Sequence, residues 1–79
     1  MWYVYILHCA DNTFYTGITT DLERRLMEHN ESPRGAKYTR GRTPVKLVYK
    51  ASHENRAHAS KEEYRIKRLS RKEKLALFE

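Results

Sequence analysis

The residues best suited to chemistry are an arginine and a histidine one helical turn apart. At 100° per residue, Leu22, Arg25, Leu26 and His29 share one helical stripe, while Arg24 and Glu28 lie opposite. A guanidinium fork suits a phosphate group. An imidazole, with an ordinary pKa of about 6.5, suits proton transfer at neutral pH. An arginine stem can also run along an apolar surface with its head in water. A single histidine on such a stripe is more often a hydrogen-bonded core residue than a catalyst. Together, Arg25 and His29 mark a polar pocket between the helix and the surface it covers.

A second amphipathic stretch sets Ala59 and Ile66 on an apolar line, flanked by Glu62 on one side and Glu63 on the other. A buried carboxylate without a partner is costly, so at least one of the two must meet a cation or a metal. Periodicity leaves the choice open. Hydroxylated aromatics come from two strand-like runs, Tyr3 and Tyr5 on one face of the first, Tyr15 and Gly17 on one face of the second. An odd-numbered loop such as Ala10 to Asn12 would put Tyr5 opposite Gly17, with Tyr15 diagonal to it. A two-residue loop would send the two tyrosines to opposite faces. Gly17 would leave open space beside the two rings.

The elements that must hold these groups follow from local pattern. Trp2 to Cys9 is β-branched, aromatic and nearly continuous in apolar character, as suits a strand buried on both faces. Ala10-Asp11-Asn12 is a turn, and Thr13 to Thr19 is the returning strand. Thr20-Asp21-Leu22-Glu23 has capping-box form, with Thr20 as the cap of a helix reaching about Asn30. Pro33, Gly35, Gly41 and Pro44 make a loop of Glu31 to Pro44. Val45 to Tyr49 alternates with period two and forms a third strand. Asn55 caps a helix to about Leu69, and Ser70-Arg71-Lys72-Glu73 opens a short last helix. The order ββαβαα predicts an α/β (α+β) domain spanning 1–79, a three-stranded, largely antiparallel sheet flanked by helices.

Size and charge narrow the function. A 79-residue chain buries only about 60–65% of its surface on folding, enough for one small core. The longest apolar run, Trp2 to Leu7, is far below the roughly 20 residues of a membrane span. No basic segment precedes it, which argues against a secretory signal. One cysteine, Cys9, argues for the cytoplasm and against a disulfide scaffold or a zinc site. Sixteen basic against ten acidic residues give a formal charge of +6. No acid lies between Glu31 and Glu54, where Arg34, Lys37, Arg40, Arg42, Lys46 and Lys50 fall, with Tyr38 among them. Loop cations interleaved with an aromatic suit a phosphate backbone with an adjacent base. Arg34, Lys37, Tyr38, Arg40 and Arg42 are therefore candidate nucleic-acid contacts. A second basic group, Lys61 to Lys74, reads equally well as a solvated face.

The chain resembles the GIY-YIG nuclease family, and is similar to its small single-domain bacterial members. Tyr3-Val4-Tyr5 stands at the first motif, Tyr15-Thr16-Gly17 at the second, and Asp21-Leu22-Glu23-Arg24-Arg25-Leu26 matches the family helix. The resemblance implies that Arg25 is the catalytic arginine, that His29 matches a histidine of many members, and that Glu63 is the catalytic glutamate. Tyr3 replaces the first-motif glycine, and no asparagine follows Glu63, where some members use one.

The implied activity is metal-dependent hydrolysis of phosphodiester bonds in DNA, with RNA as the less favoured substrate. Tyr5, Tyr15, Arg25, His29 and Glu63 would be catalytic, and Glu63 would ligate Mg2+ or Mn2+. Tyr5 or Tyr15 would position or deprotonate water. As a base at pH 7 a tyrosine needs its pKa lowered by roughly three units, about 4 kcal/mol. His29 is the rival for that proton. A protein partner could supply specificity, since the chain shows no separate specificity domain. Two other readings stand beside this one. A nucleic-acid-binding module with little catalysis would use the same basic loop. Metal-independent RNA cleavage would need His8, His29, His53 or His58 to converge.

Overall fold

The computed structural model describes residues 1–31 and 35–79. Three strands, β1 (Trp2–His8), β2 (Phe14–Thr19) and β3 (Lys46–His53), form an antiparallel sheet in the order β2-β1-β3. Helix α1 (Leu22–Glu31) follows the first hairpin, and α2 (Arg56–Lys67) and α3 (Arg71–Leu75) follow β3. The ββαβαα order and the antiparallel sheet agree with the sequence pattern.

The apolar run of β1 is explained by its central position. Val4, Tyr5, Ile6 and Leu7 are all buried, because α1 covers one face and the later helices cover the other. Alternation along the strand divides the core. Tyr5 and Leu7 pack with Cys9, Val45, Tyr15, Leu22, Leu26 and Leu47 on the α1 side. Val4 and Ile6 pack with Ile66 on the other, beside Phe14, Ile18, Leu69, Leu77 and Phe78. Each fully buried aliphatic side chain contributes about 1.5–3 kcal/mol relative to exposure.

Local signals set most boundaries. Asn55 caps α2 by accepting from the His58 amide at 2.9 Å, and Ser70 with Glu73 forms the expected capping box of α3. Two expectations need correction. The cap of α1 is Asp21, not Thr20: Asp21 Oδ1 accepts from the Arg24 amide at 3.1 Å. Thr19 Oγ1 in turn accepts from the Asp21 amide, a local turn that starts the helix one residue later. Strand β3 runs four residues past Tyr49, to His53, because Lys50, Ala51, Ser52 and His53 pair with β1 up to its start at Trp2.

The connection from α1 to β3 is held at several points. Residues Lys37–Thr39 form a single 3-10 turn. Asn30 grips the start of the third strand, donating to the Val45 carbonyl at 3.1 Å and accepting from its amide at 2.7 Å. The far end is tied to the first hairpin, where the Ala10 amide donates to the Arg42 carbonyl at 2.8 Å. Arg34 lies outside the described residues.

Candidate active site

Tyr5 is the centre of the polar face of the sheet. The hairpin loop holds an odd number of residues, so Tyr5 pairs with Gly17 and Leu7 with Tyr15, which puts the tyrosines diagonal on one face. Their ring centroids are 6.4 Å apart. The space at Gly17 is not open, contrary to the sequence reading. A Cβ there would lie 2.6 Å from the Tyr5 hydroxyl oxygen and 2.8 Å from Cζ. The glycine exists to admit the Tyr5 hydroxyl.

Helix α1 brings in the remaining groups of this face. His29 is buried, with its ring centroid 5.9 Å from Tyr5 and 5.2 Å from Tyr15. Its Nε2 lies 2.9 Å from the Tyr5 hydroxyl, and its Nδ1 lies 2.9 Å from Thr39 Oγ1. Arg25, one turn earlier, donates to Glu28 at 2.9 Å and reaches the Tyr5 hydroxyl, where it favours the ionised phenol. The stripe that carried Arg25 and His29 therefore does meet in one polar pocket against the sheet.

Burial dominates the electrostatics of the pair. It pushes the Tyr5 phenol up to about 12, against the opposing pull of the hydrogen bond to Arg25. A tyrosine base requires the reverse shift, so Tyr5 on its own is a proton donor in this pocket. Burial also pushes His29 down to about 4, and the positive charge of Arg25 adds to that. His29 is thus a neutral ring at pH 7.

The two carboxylates of α2 separate cleanly. Glu62 pairs with Arg65, which holds its carboxyl below the usual range, and it also feels His53. Glu63 pairs with Lys67 at 3.4 Å, and its charge reaches Tyr5. Each carboxylate meets a cation, as burial required, but only Glu63 is coupled to the tyrosine pocket. Among the described residues no three His, Cys, Asp or Glu side chains cluster as a metal cage. A lone half-buried carboxylate still fits Mg2+, which keeps several waters and takes further oxygens from a substrate phosphate.

The basic loop closes one side of the pocket. Tyr38 stacks on Tyr15 at 5.9 Å with rings 27° apart, and the Arg42 guanidinium lies 4.2 Å from the Tyr38 ring centre. Arg42 also bonds Asp11 at 2.9 Å and the Tyr38 carbonyl at 2.7 Å, so much of its hydrogen-bonding capacity is spent within the protein. Lys37 and Arg40 are exposed beside it. The other histidines stay apart: His8 bonds Asn12 in the hairpin, His53 sits near Glu62, and exposed His58 lies in the first turn of α2. Thr39 and Asn30 escaped the sequence reading, since both are uncharged and neither falls on a periodic apolar stripe.

Comparison with known proteins gives a consistent answer. The family model described as the GIY-YIG catalytic domain matches residues 1–76. A UPF0213 protein of Halobacterium salinarum is 55% identical over 78 residues, covering 99% of this chain and all of the relative. Another, from Desulfotalea psychrophila, is 59% identical over 69 residues, 87% of this chain; the match spans only 63% of that relative's length. The solution NMR structure of a UPF0213 protein from Bacillus halodurans aligns with a TM-score of 0.61 at 49% identity, covering 98% of this chain and 82% of that one.

Proposed function

Because the chain belongs to the GIY-YIG family, a family of nucleases, we propose that it is an endonuclease hydrolysing phosphodiester bonds in DNA with Mg2+ or Mn2+. The observation that carries this reading is the convergence of Tyr5, Tyr15, Arg25 and His29 on one face, with Glu63 of α2 acting on Tyr5 through its charge and Glu62 tied to Arg65. A binding surface has no use for a carboxylate whose charge reaches the phosphate pocket, since it repels phosphate unless a cation intervenes.

Glu63 would hold the divalent ion, which when bound neutralises charge on the scissile phosphate and the leaving oxygen. Arg25 binds the same phosphate through its planar fork. A phosphodiester docked there offsets the field of Arg25, one of the causes that hold His29 down, and so raises its proton affinity. Tyr5 then orients the attacking water and accepts its proton as its own hydroxyl proton moves to His29 Nε2. This shuttle removes the need for a free phenolate, which the buried Tyr5 resists. Tyr15 supports the Tyr5 and His29 rings. Lys37, Tyr38, Arg40, Arg42 and, outside the described residues, Arg34 form the loop along which the nucleic acid runs. The protein would act in the cytoplasm as one domain of residues 1–79, with a partner protein adding specificity.

The test is cleavage of labelled plasmid, single-stranded DNA and RNA with Mg2+ or Mn2+ by wild type, Glu63→Gln and Glu62→Gln. Metal-dependent DNA cleavage that Glu63→Gln abolishes and Glu62→Gln keeps is the expected result. Salt-sensitive DNA binding with no cleavage by any form would make the chain a binding module instead.

A further inference from the structure

The hydroxyl of Thr39 lies against one ring nitrogen of His29. Thr39 is fully buried at the end of the 3-10 turn. Its Oγ1 lies 2.8 Å from the Ala36 carbonyl oxygen and 2.9 Å from His29 Nδ1. A hydroxyl has one proton, and a carbonyl can only accept. The Thr39 proton therefore goes to Ala36, and Oγ1 must accept from His29. That puts the imidazole proton on Nδ1 and leaves Nε2 bare, 2.9 Å from the Tyr5 hydroxyl. The Ala36 amide competes by pointing at Nδ1, but from 3.4 Å, at the limit of a hydrogen bond.

We propose that Thr39 is a positioning residue that fixes His29 as the Nδ1–H tautomer, so that Nε2 is the acceptor for the Tyr5 proton. The proposal rests on the nuclease reading for its catalytic consequence, but the tautomer does not depend on it. It also gives the basic loop a second task. The turn that presents Lys37 and Tyr38 to a nucleic acid is the same turn that sets the histidine.

Two-bond 15N–1H NMR of the imidazoles at pH 7 tests this on the uniformly labelled full chain, with His29 identified by the signal lost in His29→Gln. Wild type and Thr39→Ser should show a protonated Nδ1 and a bare Nε2. Thr39→Val removes the hydroxyl at equal size and leaves the Ala36 amide as donor to Nδ1, so the proton should move to Nε2. Cleavage should fall at least tenfold in kcat with little change in KM for Thr39→Val, and Thr39→Ser should restore it. A wild-type ring protonated at Nε2 overturns the proposal even if Thr39→Val fails to fold. So does a Thr39→Val ring that keeps Nδ1–H. Expected tautomers in all three proteins with no cleavage by any would uphold the positioning and sink the nuclease reading alone.

Discussion

The two faces of the sheet share one central strand and differ in almost everything else. Val4 and Ile6 point into an apolar layer with Ile66, Phe14, Leu77 and Phe78. Tyr5, between them in sequence, points into a layer laced with polar groups: the His29 ring, the Thr39 hydroxyl and the Arg25 guanidinium. Both layers are packed, but they are held by different physics. The apolar layer is stabilised by area removed from water and tolerates changes that keep its volume. The polar layer depends on a closed sequence of hydrogen bonds, each of which is costly to leave half made. In 79 residues the same seven-residue strand supplies both a scaffold and a candidate reaction site, one on each side.

Substitutions that separate the two faces can break this comparison. The largest expected effect on stability is on the apolar side. Ile66→Ala should cost about 2–5 kcal/mol in a urea or thermal melt, while the folded fraction keeps the proposed DNA cleavage. Equal loss of specific activity in the folded protein would mean that the faces are not separable.

The polar side should show itself through pH. His29 sits near 4 in the folded protein against about 6.5 unfolded, so the unfolded chain binds more protons between those values. Stability therefore rises with pH across that window. It is fully present above about 6.5 and is lost as pH falls toward 4, by at most about 3 kcal/mol. Melts of wild type and His29→Gln from pH 4 to 7 should differ in slope by that contribution. Parallel curves would place His29 in a far wetter setting than the one described here.

Gly17→Ala sharpens the same point by steric means. The new methyl must displace the Tyr5 hydroxyl, at a cost of about 1–3 kcal/mol. The proposed DNA cleavage should fall more than that destabilisation accounts for, because the Tyr5–His29 bond is lost. The smallest expected effect is Asp11→Asn. It weakens a half-exposed pair with Arg42 and should leave the melt almost unchanged.

How much of this was legible in the sequence depended on how local each cause is. The central strand, the α3 capping box and the Asn55 cap are written in short runs, and they appear where the pattern put them. The inward stripe of Arg25 and His29 was legible because a helix repeats within four residues. The extension of β3 was not, since Lys50, Ser52 and His53 are polar and are drawn into the sheet by pairing with β1. Nor was the fate of Arg42, whose partner Asp11 is 31 residues away. Thr39 was the least legible of all. Its role comes from a single hydroxyl aimed at a ring ten residues earlier, across a loop with no periodicity.

The central claim is that the proposed divalent ion binds at Glu63 of α2, whose charge reaches Tyr5. Paramagnetic broadening of amide NMR signals by substoichiometric Mn2+ tests it without any requirement for turnover. The account predicts broadening centred on Glu63 and extending to Tyr5 and Gly17, abolished in Glu63→Gln and kept in Glu62→Gln. Broadening that survives Glu63→Gln, or that centres on Glu62 and His53, would contradict it.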